Sequence, residues 1–162
     1  GANITDLAQL KYKNIDGLSI IFIRQKRAHR KQDFTVIAMT QEIARLIEKL
    51  KQPYKSEETY ILDILKENMT AKQRLTAIRN TVRGINKHIK VIAANIGIST
   101  NITTYTARHT HATVKRDAGY SALQIAEDMG TSEKVVKRNY ISNTDLDKKH
   151  QMAAILTNWD DG

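Results

Sequence analysis

From Thr70 to about Ala94, Leu75, Ile78, Val82, Ile85, Ile89 and Ile92 recur at alternating three- and four-residue steps. That is the period of a helix with one apolar face, and the pattern predicts a buried helical stripe. Gly84 and the polar residues around Lys87 mark where it would divide into two. One proline and seven glycines in 162 residues leave little else to interrupt helices. A chain of this length fits one domain with a sizeable core.

The flanking segments add a smaller β component. "GANITDLAQLKYKNIDG" places Ile4, Leu7 and Leu10 on one helical face and ends at an Asp-Gly turn. "LSIIFIRQ" and "FTVIAM" are rich in β-branched residues and enclose the charged run "KRAHRKQD", the pattern of a β-hairpin. "TQEIARLIEKLKQ" sets Ile43, Leu46, Ile47 and Leu50 at helical spacing behind Thr40 as N-cap, and Pro53 closes it. "PYKSEETY" reads as a loop or the start of a short helix. "TARHTHATVKRDAG" predicts a helix ending at Gly119, and "SALQIAEDMG" a short one closed by Gly130. "TSEKVVKRNYI" follows as a third, capped by Thr131 or Ser132, and Met152, Ile155 and Leu156 share one side of a last helix in the tail. The fold class is mainly α with a small β-hairpin or sheet (α+β), with neither repeats nor low-complexity segments.

Charge narrows the partners. Lys and Arg outnumber Asp and Glu by 26 to 17, a formal +9 with a pI near 9.8. Such a surplus favours a polyanion, because each phosphate contact releases counterions. The chain has no long apolar span to suit a membrane, and its lack of cysteine removes disulfides and thiolate metal sites and fits a reducing, cytoplasmic setting. Gly-rich phosphate loops, His-Glu-x-x-His and Gly-x-Ser-x-Gly are absent, and His109 and His111, two apart, point to different faces of a helix. Neither a cofactor nor a metal is expected.

Three stretches carry candidate chemistry. Arg108, on a helix of small residues, offers a fork of donors that matches two phosphate oxygens; the alternative is an ordinary partly exposed arginine. In "RQKRAHRK", Arg24 and Lys26 share a strand face, while Arg27, Arg30 and Lys31 suit backbone phosphates at a loop tip. "EDMGTSEKVVKRNYI" has two readings. Ile125, Ala126, Gly130 and Val135 or Val136 fit a DNA-reading helix-turn-helix with Lys134, Lys137 and Arg138 exposed, whereas Tyr140 could be a nucleophile presented to a phosphate.

Taken together, these pieces resemble the catalytic domain of the tyrosine recombinase (phage integrase) family. The family's His-x-x-Arg motif, commonly followed by His and a small-residue helix ending in Gly, is matched by Tyr105-Thr106-Ala107-Arg108-His109 and Gly119. Its Leu-Gly-His turn, nine residues before the nucleophilic tyrosine, is matched by Met129-Gly130-Thr131 and Tyr140. The opening segment resembles the first conserved box, and the hairpin the strand pair carrying the catalytic lysine, here Lys26. The match runs from Gly1 to about Ser142. It departs at Asn3, where the first box has Arg, and at Tyr105 and Thr131, where the family has His. This pattern looks most like integrases of conjugative transposons and phages of the Bacteroides group.

The resemblance implies metal-free DNA cleavage and rejoining. Tyr140 would form a 3′-phosphotyrosine, Arg108 and Arg24 would hold the phosphate oxygens, and Lys26 would protonate the leaving 5′-oxygen. Tyr105 and Thr131 would offer hydroxyls to the phosphate, and His109 a structural imidazole. It further implies that 1–162 is a single catalytic domain cut from a longer integrase with N-terminal DNA-binding domains. The partner would be double-stranded DNA, held by a tetramer of protomers. Residues 143–162 would form a tail helix, which in the family often docks in trans. The alternative is a non-catalytic helix-turn-helix DNA-binding protein.

Overall fold

The computed structural model describes residues 1–24 and 34–141. The expectations for Lys26, Arg27, Arg30, Lys31 and the 143–162 tail helix lie outside the described residues.

The chain opens with α1 (Ile4–Ala8), capped by Asn3, whose Oδ1 accepts from the Asp6 N–H at 2.8 Å. This helix is shorter than the apolar spacing predicts: Leu10 lies beyond it, buried where the chain has become extended beside Tyr60. After a 3₁₀ turn (Tyr12–Asn14), β1 (Ile15–Asp16) and β2 (Ser19–Ile23) pair antiparallel around Gly17, whose φ is +53°. The Asp-Gly turn therefore joins two strands, and the expected hairpin becomes a three-stranded antiparallel sheet in the order β1-β2-β3, with β3 at Phe34–Ala38. Alternation along β2 buries Ile20 and Phe22 on one face, against Leu10 and Ile61.

Helix α2 (Gln41–Leu50) starts on the Thr40 cap and lays Ile43 and Ile47 on that same cluster, leaving Leu46 and Leu50 exposed. The segment after Pro53 forms no helix. It returns as extended chain, bridged to residues 11 and 51 through Tyr60 and Leu62. The Gln52 amide helps pin it by donating to the Leu62 carbonyl at 2.9 Å.

Helix α3 (Ala71–Asn95) runs unbroken for 25 residues through Gly84, about 37 Å. Thr70 and Gln73 cap each other reciprocally at its start. The expected buried stripe is only partly buried. Ile78 packs into a cluster with Ala8, Tyr60 and Leu65, Val82, Ile85 and Ile89 are half-buried, and Leu75 and Ile92 are exposed. Helical period establishes that apolar residues share a face; whether the face is covered depends on what the chain brings to it.

Three helices complete the described fold: α4 (Thr104–Asp117), α5 (Ala122–Asp128) and α6 (Glu133–Val136), continued by a π-helical turn, Lys137–Ile141. Gly119 and Gly130 end α4 and α5 with φ of +87° and +55°. Ser121 and Ser132, rather than Thr131, cap α5 and α6. These helices close around Ala112, Ile125, Ala126, Met129, Val136 and Tyr140. Among the described residues, no helix is long and apolar enough to cross a membrane.

Candidate active site

The α5–α6 turn is where distant parts of the chain meet. Arg24, at the end of β2, sends Nη1 to the carbonyls of Gly130 (2.6 Å) and Met129 (3.2 Å). Arg108, one turn into α4, sends Nη2 to the same Met129 carbonyl at 3.0 Å and Nη1 to the Gly1 carbonyl. Both arginines are buried, so on this point the alternative of a partly exposed Arg108 is corrected. Two guanidiniums thus converge on one backbone carbonyl oxygen, which gathers positive charge at the turn. Burial and the neighbouring Arg24 cation press the Arg108 pKa below its ordinary value.

Asp6 answers part of that charge. Its Oδ2 accepts from Arg24 Nε at 2.8 Å, and the carboxylate is buried. A buried cation is tolerable only with such a partner, so Asp6 sets where Arg24 can lie. Asp6 belongs to no catalytic motif of the sequence. The signal was there in "NITD", an Asn cap with an acid three residues on, but its burial was not.

Tyr140 lies within electrostatic reach of Arg108, buried in the core cluster with its backbone carbonyl accepting from Arg116 Nη1 at 2.8 Å. Burial raises its phenol pKa, and the neighbouring Tyr105 raises it further, against the lowering effect of the Arg108 charge. His109 links the two tyrosines: its ring centroid is 4.6 Å from that of Tyr105 and 5.3 Å from that of Tyr140. Tyr105 is half exposed, at the open side of the group. Thr131 is half-buried, and its N–H is spent on the Ala126 carbonyl at 2.8 Å, closing α5.

Gly130 is the tightest position in the site. A Cβ there would stand 2.5 Å from both Arg24 Cδ and Thr35 Oγ1. Behind the turn, Asp128 accepts from His111 Nε2 at 2.5 Å and pairs with Lys115 at 2.9 Å. Burial pushes the Asp128 carboxyl up, but the His111 and Lys115 hydrogen bonds outweigh it and hold the pKa below the usual range. His109 and His111 therefore serve different neighbours. Lys137 pairs with Glu133 at 2.7 Å, Arg138 Nε donates to Asn139 at 3.3 Å, and both are exposed one turn from Tyr140.

The fold thus brings Arg24 and Arg108 together at the Met129–Gly130 turn, with Thr131 next in the chain, and sets Tyr105, His109 and Tyr140 near Arg108. No protein-family sequence model matches the chain, and neither does any curated protein sequence.

Proposed function

We propose that this chain is the catalytic domain of a tyrosine-type site-specific DNA recombinase, with the fold of that family, acting on double-stranded DNA for integration or excision of a mobile element. The observation that carries the reading is the convergence of Arg24 and Arg108 on the Met129 carbonyl next to Tyr140. On this reading, a scissile phosphate takes the place beside that carbonyl, with its non-bridging oxygens on the two forks. Tyr140 Oη attacks phosphorus, the P–O5′ bond breaks, and Lys26 gives a proton to the leaving oxygen. The phenol proton passes to solvent as the bond forms. The raised pKa of Tyr140 keeps it a neutral phenol at rest, so the cationic pair has to stabilise the charge built up during attack. The 3′-phosphotyrosine conserves the bond energy for rejoining, by a tetramer of protomers.

Arg24 takes the part that the first-box arginine plays in the family. Arg108→Ala should slow covalent capture by about 10²–10³-fold, the usual cost of one such donor. If Arg24→Ala cleaves as well as the native chain, Arg24 has no such part.

The test is a pool of nicked duplexes of randomised sequence, incubated with the chain and run on a denaturing gel. A protein–DNA adduct that disappears in Tyr140→Phe supports the reading, and absence of adduct across the pool refutes it. A second reading, a non-catalytic helix-turn-helix DNA-binding protein, is favoured by the burial of Tyr140 among Ile125, Ala126 and Val136. It predicts duplex binding without any adduct.

A further inference from the structure

Helix α3 carries six cations, Lys72, Arg74, Arg79, Arg83, Lys87 and Lys90, and no carboxylate in its 25 residues. Such a helix works against itself, since like charges four residues apart repel, and acidic partners at that spacing are the ordinary remedy. Arg79, Arg83, Lys87 and Lys90 fall within about 80° of arc and span about 16 Å of the axis. All four are exposed. Among the described residues, none of the four is paired with a carboxylate, whereas Lys11, Lys13, Lys51, Lys66 and Lys137 each are.

The stripe also leads to the candidate site. Asn86 lies about 20° beyond the edge of that arc, and Asn86 Oδ1 accepts from the N–H of Thr104, the first residue of α4, at 2.8 Å. Tyr105 follows directly and Arg108 one turn later. We propose that this face of α3 is a further contact surface for double-stranded DNA, following the phosphate backbone away from the arginine pair. The inference rests on the DNA-binding part of the reading above and not on its covalent chemistry. The clustering of like charges, costly to the helix alone, is met by phosphates, each contact releasing counterions.

The test compares two variants of equal net charge by fluorescence anisotropy on a labelled duplex. One replaces Arg79, Arg83, Lys87 and Lys90 with Gln, a good helix former; the other replaces Lys13, Lys49, Lys55 and Lys66 with Gln. Circular dichroism confirms that both keep their helices. Loss of four phosphate contacts should flatten the slope of log K against log salt by about 3.6. Raising salt from about 50 to about 200 mM should then weaken the native chain about a hundredfold more than the stripe variant. An unchanged slope, or an equal change in the second variant, overturns the inference. So does binding to phosphatidylserine vesicles that falls in the stripe variant while duplex binding holds. Loss of the Tyr140 adduct reaction would leave this measurement untouched, so the two readings fail separately.

Discussion

Gly130→Ala measures how tightly the α5–α6 turn is locked to the arginine pair. The substitution adds one methyl group at φ +55°, where its carbon would stand 2.5 Å from both Arg24 Cδ and Thr35 Oγ1. Neither neighbour can yield cheaply: Arg24 is tethered by Asp6 and by two carbonyls of the turn, and Thr35 is buried in β3. Gly17 provides the matched control, with φ of +53° and nothing within 4 Å of the added carbon. Both variants carry the left-handed backbone cost of about 1–2 kcal/mol. Only Gly130→Ala adds overpacking, about 1–3 kcal/mol. For a chain of this size, each kcal/mol lowers Tm by about 2–4 °C, so Gly130→Ala should melt about 2–12 °C below Gly17→Ala. Thermal unfolding followed by circular dichroism reads the difference. If Gly130→Ala melts no lower than Gly17→Ala, the close approach of turn and arginine is wrong, and with it the convergence on Met129.

Three further outcomes follow from the same contacts. Asp6→Ala leaves the Arg24 guanidinium buried without its carboxylate and should cost about 3–5 kcal/mol in urea unfolding, largely recovered by Asp6→Leu with Arg24→Met. A loss as small as that of an exposed pair would refute the buried contact. Tyr140, its pKa raised by burial, holds its proton more tightly folded than unfolded, so its contribution is present below about pH 10 and lost as pH rises above that. Urea midpoints should fall less between pH 8 and 11 in Tyr140→Phe than in the native chain; equal falls would contradict the assignment. Asp128, held below the usual carboxyl range, contributes stability above about pH 4 that is lost as pH falls through its lowered value, so Asp128→Asn should flatten the acid limb between pH 5 and 2.

What was legible in the sequence was local. Thr40, Thr70 and Ser121 each satisfy a backbone N–H within their own first turn, and Gly119 and Gly130 each accommodate a positive φ, so neighbours in the chain decide these boundaries. The α3 stripe shows where local reasoning ends. The same period that buries Ile78 leaves Leu75 and Ile92 exposed, because coverage depends on Ala8, Tyr60 and Leu65 arriving from elsewhere in the chain. The third strand was hidden for a different reason: two residues, Ile15 and Asp16, are too few to show a period of two.

The candidate site divides along the same line. Arg108, Gly130 and Tyr140 stand out by spacing, but the pairing of Asp6 with Arg24 joins residues 18 apart and has no period to announce it. Asn3 is the informative case. Where the resembled family carries an arginine, this chain has a short side chain that accepts the Asp6 N–H and starts α1. The cap fixes Asp6, Asp6 fixes Arg24, and Arg24 reaches the Met129 carbonyl that Arg108 also holds. On the proposed reading, position 3 supplies the anchor for a cation instead of the cation itself. An arginine placed there would lose the cap and add a third positive charge beside two, of which Arg24 is held by Asp6. Asn3→Arg should therefore weaken covalent capture, not strengthen it. A gain in adduct formation would mean that residue 3 can still supply the charge directly and that Arg24 is structural.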